Sequence, residues 1–142
     1  MRFMMLMYPG PKAELEQDPI DGNEQLFEAM MAFNQRMVDA GIMLSGDGLR
    51  PTSRGARVRF GRGKPVVTDG PFTETKEILG GYWMIQAGSL AEAIEWARQA
   101  PCPEGEMIEI RQVYEPEDFG PDIADRERQM IKEMSAGPKK QS

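Results

Sequence analysis

The chain has 142 residues, a formal net charge of -6 and no histidine. This length suits one domain, which can build a hydrophobic core without a metal ion or a disulfide. The acidic balance disfavours binding to nucleic acids or anionic membranes, since such binding depends on Lys and Arg side chains that displace counterions from phosphates. Without histidine, the chain cannot supply a Ser-His-Asp triad, a Cys-His pair or a histidine-ligated metal, so acid–base chemistry falls to Asp, Glu, Lys or Tyr.

Neither a signal peptide nor a membrane span is indicated. The apolar run from Phe3 to Tyr8 lacks a basic flank and a small-residue cleavage site, so it predicts a strand. No stretch approaches the roughly 18 apolar residues that a membrane span needs. Cys102 is the single cysteine, which fits a reducing compartment, and we expect it to be an unreactive loop residue. These features predict a cytoplasmic protein.

The first third of the chain predicts a strand, a loop and a helix. Arg2 to Tyr8 is apolar on both faces, as in a central strand, and the proline-bearing stretch from Pro9 to Ile20 predicts a loop. Asp21 and Glu24 form a start signal of the capping-box type. Apolar residues then recur at helical spacing up to a stop at Gly41, which is typical of an amphipathic helix. They are Leu26, Met30, Phe33 and Met37.

The middle of the chain predicts short strands separated by turns. Ile42 to Leu44 resumes as a short strand, which the turn-rich run from Ser45 to Gly48 interrupts. Alternation of basic and apolar residues from Arg57 to Phe60 predicts a half-exposed strand. The stretch from Gly61 to Pro65 then predicts a hairpin turn into a strand at Val66 and Val67.

A strand, a helix and a last strand are predicted next. Gly80 to Ile85 predicts a buried strand whose paired glycines allow close backbone approach. Ser89 and Glu92 form a capping box that opens a helix ending before Pro101. Met107 to Val113 predicts the last strand. The helix face that we expect to be buried holds Leu90, Ile94 and Ala97, with Trp96 beside it.

The order of these elements indicates an α+β, ferredoxin-like βαββαβ fold with an antiparallel sheet and both helices on one face. The strands at Phe3 to Tyr8 and Tyr82 to Ile85 are apolar on both faces, although two helices can cover only one face. We therefore expect a second copy of the chain to cover the other face in a homodimer.

We place the domain at residues 1–113 and an acidic extension at residues 114–142. Ile123 to Met134 predicts a weakly amphipathic helix in this extension, followed by a polar tail from Gly137 to Ser142. Two interpretations stay open: the helix contacts a partner subunit through its apolar residues, or it frays. The apolar residues are Ile123, Met130 and Met134.

The most specific motif is Asp69-Gly70-Pro71-Phe72-Thr73-Glu74-Thr75-Lys76-Glu77, followed by Gly80-Gly81-Tyr82. It resembles the signature of the DGPF branch of the YCII-related proteins. The resemblance continues at residues 40–42, 46–51 and 92–93, and spans roughly residues 2–113. It implies a bacterial, cytoplasmic, dimeric α+β barrel. It implies little about activity, because a fold alone does not fix function.

Two carboxylates are the catalytic candidates. In the wider YCII-like group a histidine and an aspartate are the proposed catalytic pair, and the resemblance places Asp47 in the segment of that aspartate, whereas the histidine is missing here. Glu77 is the second candidate, because burial of a carboxylate in a cleft raises its pKa and makes it a general base. We expect neither a metal nor a cofactor.

The charged residues of the motif allow two interpretations. In one, Asp69, Glu74 and Lys76 surround a cleft together with Glu77 and the ring of Phe72. In the other, Phe72 fills the dimer interface, while Lys76 pairs with Glu74 or Glu77 at the surface and contributes under about 1 kcal/mol.

A basic segment from Arg50 to Lys64 contains no acidic residue. In one interpretation it is a solvated face that complements the acidic segment from Glu104 to Glu127. In the other, Arg57 and Arg59 lie on one strand face and bind a carboxylate or phosphate bidentately. The basic residues are Arg50, Arg54, Arg57, Arg59, Arg62 and Lys64. The predicted binding residues are Arg57, Arg59, Asp69, Phe72, Glu74, Lys76 and Tyr82.

Together these features favour a homodimer that binds a small anionic molecule between Asp47, the motif and the Arg57–Arg59 strand. An isomerase or lyase that uses Asp and Glu for proton transfer is the first alternative. A regulatory partner of an extracytoplasmic-function sigma factor is the second, and it rests on the resemblance rather than on any residue.

Overall fold

A computed structural model describes residues 1–14 and 24–138 of the chain. The first compact unit, Met1–Gln112, contains six strands and two α-helices within these residues, and the second unit, Val113–Ser142, contains one α-helix. The strands are β1 (Arg2–Tyr8), β2 (Met43–Gly48), β3 (Ala56–Arg59), β4 (Val66–Asp69), β5 (Gly81–Gln86) and β6 (Met107–Gln112). The helices are α1 (Glu24–Asp39), α2 (Leu90–Ala97) and α3 (Pro121–Ser135).

Three predicted features fall partly or wholly outside the described residues. Asp21 of the predicted capping box is one, and the end of the predicted loop, residues 15–20, is another. The polar tail is described only to residue 138. The described start of the loop contains a short 3-10 helix, Pro11–Glu14.

The four-stranded sheet has the order β2-β5-β1-β6, and all neighbouring strands are antiparallel. The β1-α1-β2 segment has β5 inserted between its two strands, and the β5-α2-β6 segment has β1 inserted in the same way. This is the split β-α-β arrangement, so the predicted α+β, ferredoxin-like fold is confirmed. The β3–β4 hairpin forms a separate two-stranded sheet. In the sequence, it follows β2 and precedes β5.

One face of the sheet forms the hydrophobic core. Phe3 and Met5 of β1 and Ile85 of β5 are essentially inaccessible to solvent, because alternate residues of a strand project to the same face. The rings of Trp83 and Phe33 are perpendicular, with their centroids 5.8 Å apart. Each large side chain buried here contributes about 1.5–3 kcal/mol. Phe33 and Met37 of α1 and Ala93 of α2 cover this face.

The other face of the sheet, which we call the second face, lies away from α1 and α2. The strand register pairs Leu6 with Tyr82 and Tyr82 with Asp47, so these three side chains project to the same side. Met4 and Met84 form the neighbouring pair on this side. The apolar side chains of the second face are only half-buried.

The predicted turn from Ser45 to Gly48 is wrong, since these residues belong to β2 and pair with β5. The glycine at position 46 is favoured by packing rather than by a turn. A Cβ atom on Gly46 would lie 2.9 Å from Cε of Met43 and 3.2 Å from Cδ1 of Trp83. A strand that crosses so close to a tryptophan favours a residue without a side chain.

The start of α2 follows the prediction, whereas its buried face follows it only in part, since Trp96 and Ala97 pack against the core and Leu90 and Ile94 do not. Ser89 Oγ accepts a hydrogen bond from the Glu92 amide at 3.2 Å, which is the predicted N-cap. Leu90 and Ile94 are 51% and 36% exposed, whereas Ala93 is fully buried. The small side chain of Ala93 lets the helix approach the sheet closely, and this turns the larger residues outward.

In the second unit, α3 covers the helix that was predicted from Ile123 to Met134. It begins with Pro121 in its first turn, where the missing N–H costs nothing. Arg128 forms exposed ion pairs with Glu117 at 3.6 Å and Asp125 at 3.2 Å, which contribute little because solvent screens them. The domain boundary at residue 113 stays a prediction.

Candidate functional site

Five of the predicted site residues line two clefts of the first unit. The first, which we call the Asp47 cleft, has a volume of about 160 Å³ and lies between β1, α1, β2 and β5. The second, which we call the arginine cleft, has a volume of about 380 Å³ and lies between residues 49–57, Phe72 and residues 77–79.

The two clefts adjoin each other. Gly48 and Gly80 line the Asp47 cleft, and their chain neighbours Leu49 and Leu79 line the arginine cleft. A backbone hydrogen bond from the Leu49 amide to the Gly80 carbonyl, 2.9 Å long, joins the two segments at this boundary. A molecule bound in one cleft would therefore lie beside the other.

The DGPF loop, residues 69–72, packs on the loop that follows β2. A Cβ atom on Gly70 would lie 1.7 Å from the carbonyl oxygen of Thr52, so only glycine fits at this position. The Gly70 amide donates to the Gly55 carbonyl at 3.0 Å, and the Phe72 amide donates to Oγ1 of Thr52 at 2.9 Å. The motif is thus a docked loop whose position depends on Thr52.

Thr52 is held in turn by Glu14, which sequence reasoning did not identify. The Thr52 amide donates to both carboxylate oxygens of Glu14, each at 3.2 Å, and the Thr52 hydroxyl donates to Oε2 of Glu14. These atoms are partly buried. Glu14 therefore links the 3-10 helix before α1 to the DGPF loop.

Three arginines line the arginine cleft. The guanidinium carbon of Arg57 lies 3.8 Å from the centroid of the Phe72 ring, a cation–π contact that orients the guanidinium group. Arg50 and Arg54 complete the basic lining, and Glu77 is the single carboxylate among the described residues that line this cleft. Guanidinium groups offer paired N–H donors that match carboxylate and phosphate oxygens. The geometry suits an anion.

Two residues that line the Asp47 cleft, Asp47 and Tyr82, form an acid–base pair whose side chains project to the second face of the sheet. The Tyr82 hydroxyl donates to Oδ2 of Asp47 at 3.1 Å. This hydrogen bond and the negative charge of Asp47 raise the pKa of Tyr82, because both favour the protonated phenol. Nε1 of Trp83 donates to Oδ1 of Asn34 at 2.8 Å, which satisfies the indole in the interior of the fold.

The structure divides the predicted site residues between these places. Asp47 and Tyr82 lie together in the Asp47 cleft, and Arg57, Phe72 and Glu77 lie together in the arginine cleft. The two catalytic candidates, Asp47 and Glu77, therefore line different clefts.

The other predicted binding residues are exposed and line neither cleft. They are Arg59, Asp69, Glu74 and Lys76. Arg59 lies on the same face of β3 as Arg57. Arg57 pairs with Thr68, whereas Arg59 pairs with Val66, which is two residues further from the DGPF loop. The sequence marks Arg50 and Arg54 as members of the basic segment. No sequence pattern marks Glu14, Thr52 or Asn34 as site residues.

The described residues offer no preformed metal centre. Within residues 1–14 and 24–138, no group of three or more Cys, Asp or Glu side chains is placed to hold a metal ion. Over the same residues, no helix is both long and apolar enough to cross a lipid bilayer.

The sheet order and the docked DGPF loop define a ferredoxin-like α+β protein. The family model of the YCII-related domain matches residues 1–117, so the chain belongs to the YCII-related family. An uncharacterised protein of Rhizobium meliloti (strain 1021) is 38% identical over 76 residues, which cover 54% of this chain and 61% of that relative. The chain thus spans less than two thirds of the length of this relative.

Among solved structures, the comparison found 5-chloro-2-hydroxyhydroquinone dehydrochlorinase (TftG) from Burkholderia phenoliruptrix AC1100, in complex with 2,5-dihydroxybenzoquinone. It is 15% identical to this chain, and the superposition covers 84% of this chain and 100% of the other with a TM-score of 0.43.

Proposed function

We propose that the protein binds a small organic anion in the arginine cleft. The supporting observation is that three arginines line one cleft and that the ring of Phe72 orients one of them, Arg57, at 3.8 Å. Among the described residues of its lining, Glu77 is the one carboxylate, so these residues together carry an excess of positive charge.

The size and lining of the cleft narrow the ligand class. A volume of about 380 Å³ lies at the small end of the range for ligand pockets. Leu49, Ile78 and Phe72 add apolar surface beside the guanidinium groups. A compact molecule with one carboxylate or phosphate group and an apolar body fits both features.

Titration of the protein with benzoate and with inorganic phosphate, followed by NMR, tests this proposal. Arg57→Gln should weaken benzoate binding by about tenfold, the lower end of the range for a charge-assisted hydrogen bond, because the cleft is open to solvent. Arg59→Gln is the matched control, since it removes the same charge from the same strand outside the cleft. Equal losses in the two variants, or no binding by the wild-type protein, would refute the proposal.

We further propose that the protein is a homodimer joined through the second face of its sheet. The supporting observation is that Met4, Leu6 and Met84 project away from α1 and α2 and stay half-buried. Leu6→Lys should give a monomer in sedimentation velocity, because dimerisation would bury an unpaired charge. Val38→Lys on α1 is the control. A wild-type monomer, or a dimer that survives Leu6→Lys, would contradict this interface.

A second candidate function is proton transfer on a bound carbonyl acid, as in an isomerase or lyase. The observation that favours it is the hydrogen bond between Tyr82 and Asp47, which places a carboxylate base beside a phenol whose raised pKa keeps it protonated. Exchange of the α-protons of enolisable keto acids in D₂O, followed by NMR, tests it. Exchange should occur with the wild-type protein and be lost in Asp47→Asn, and equal exchange in both would exclude this role.

A further inference from the structure

We propose that Glu14 is a positioning residue for the arginine cleft. Its carboxylate fixes Thr52, and Thr52 fixes the DGPF loop, so that Phe72 holds Arg57 in the geometry that receives an anion. This inference rests on the proposed binding function and names the part of the chain that controls it.

The first step of the argument is the direction of the Thr52 hydroxyl. A hydroxyl has one proton to donate and lone pairs to accept with. Because the Thr52 hydroxyl donates to Glu14, its lone pairs face the Phe72 amide, which donates to Oγ1 at 2.9 Å. Without the carboxylate, the hydroxyl proton of Thr52 has no fixed acceptor. The hydroxyl can then rotate, and its lone pairs no longer point steadily at the Phe72 amide.

The second step is that Thr52 supports the DGPF loop through its backbone as well. The Glu14 carboxylate binds the Thr52 amide, while the Thr52 carbonyl lies against Gly70 at a distance that leaves no room for a side chain. A shift of Thr52 would therefore disturb both of its contacts with the loop: the hydrogen bond to the Phe72 amide and the packing of its carbonyl against Gly70. Arg57 lies on the Phe72 ring at the end of this connection.

The third step separates positioning from simple electrostatics. Glu14 carries a negative charge near a basic cleft, and a negative charge by itself weakens the binding of an anion. Replacement of Glu14 by Gln should therefore strengthen binding if charge alone matters. It should weaken binding if the carboxylate positions Thr52, because an amide offers one acceptor oxygen where the carboxylate offers two. The two roles predict opposite signs.

The experiment measures the affinity of the full chain for benzoate by NMR titration. Glu14→Gln should weaken binding by about fivefold, the effect of losing one ordinary hydrogen bond. Thr52→Val removes both hydrogen bonds of the hydroxyl and should weaken binding at least as much. Thr52→Ser keeps the hydroxyl and should bind within about twofold of the wild-type protein. Glu28→Gln, an exposed residue of α1, is the control for the charge change.

A second measurement needs no ligand. The Phe72 amide should exchange with D₂O faster in Glu14→Gln than in Glu28→Gln, since one amide oxygen holds its acceptor, the Thr52 hydroxyl, less firmly than two carboxylate oxygens do. If the wild-type protein does not bind benzoate, the binding function fails, and the Phe72 exchange rates still test the link to Glu14. Tighter or unchanged benzoate binding in Glu14→Gln, or unchanged Phe72 exchange, would overturn the positioning role.

Discussion

Substitution of Gly70 by alanine tests the docking of the DGPF loop most directly. The new Cβ would lie 1.7 Å from the Thr52 carbonyl oxygen and 2.6 Å from its carbonyl carbon, so the two loops must separate. Overpacking of this kind costs about 1–3 kcal/mol, and the broken Phe72 hydrogen bond adds about 1 kcal/mol. The alanine recovers about 0.4–1 kcal/mol by restricting the unfolded chain. The net loss of stability is about 2 kcal/mol.

Thermal unfolding followed by circular dichroism measures this loss. For a chain of 142 residues, an unfolding entropy of about 2.1 cal/mol/K per residue converts 2 kcal/mol into a fall in Tm of about 7 °C. Gly61→Ala is the matched control, because nothing lies within 4 Å of a Cβ at that position. If Gly70→Ala melts at the same temperature as Gly61→Ala and keeps the Phe72 amide protected, the steric argument is wrong.

Three further predictions concern single side chains. Asp47→Asn should shift the phenolate titration of Tyr82 to lower pH, measured as the ultraviolet difference from Tyr82→Phe, because Asp47 raises the pKa of Tyr82. In the wild-type protein the stability linked to this group is complete below about pH 10 and is lost as the pH rises through the raised pKa. The pKa of Cys102 is raised to about 11, first by burial and then by the negative charge of Glu106. At pH 8 its reaction with iodoacetamide should therefore be about a hundred times slower than that of an unshifted cysteine, and equal rates would show that the thiol is not shielded. Asn34→Leu should cost about 1–3 kcal/mol in urea unfolding, because Trp83 loses the acceptor of its indole N–H, and wild-type stability would contradict this.

The fold could be predicted because its signals are local and periodic. The apolar run of β1 and the capping box of α2 each specify an element without reference to the rest of the chain. Ser45 to Gly48 misled the prediction because glycine and aspartate are typical of turns, although here the glycine at position 46 makes room for Trp83. The prediction that Ile94 is buried is wrong because helical spacing alone does not fix which row of residues on the helix faces the sheet.

The candidate site could be predicted only in part, because it is built from contacts that are distant in the chain. The basic segment and the DGPF motif carried visible signals, and Arg57 and Phe72 do meet. Glu14 lies 38 residues from Thr52 and on a proline-bearing stretch without periodicity, so no local pattern connects them. The separation of Asp47 from Glu77 into two clefts likewise depends on the three-dimensional path of the segments around Gly48 and Gly80.

The close contact between Gly70 and Thr52 gives the motif a longer sequence signature than its four letters. A hydroxyl residue twenty positions before the phenylalanine accepts from the amide of that phenylalanine, so Asp-Gly-Pro-Phe and an upstream Thr or Ser form one structural unit. A chain that carries the four letters without this hydroxyl would have to anchor its loop by other means. Searches that require both parts would distinguish proteins that share this loop from those that match four letters by chance.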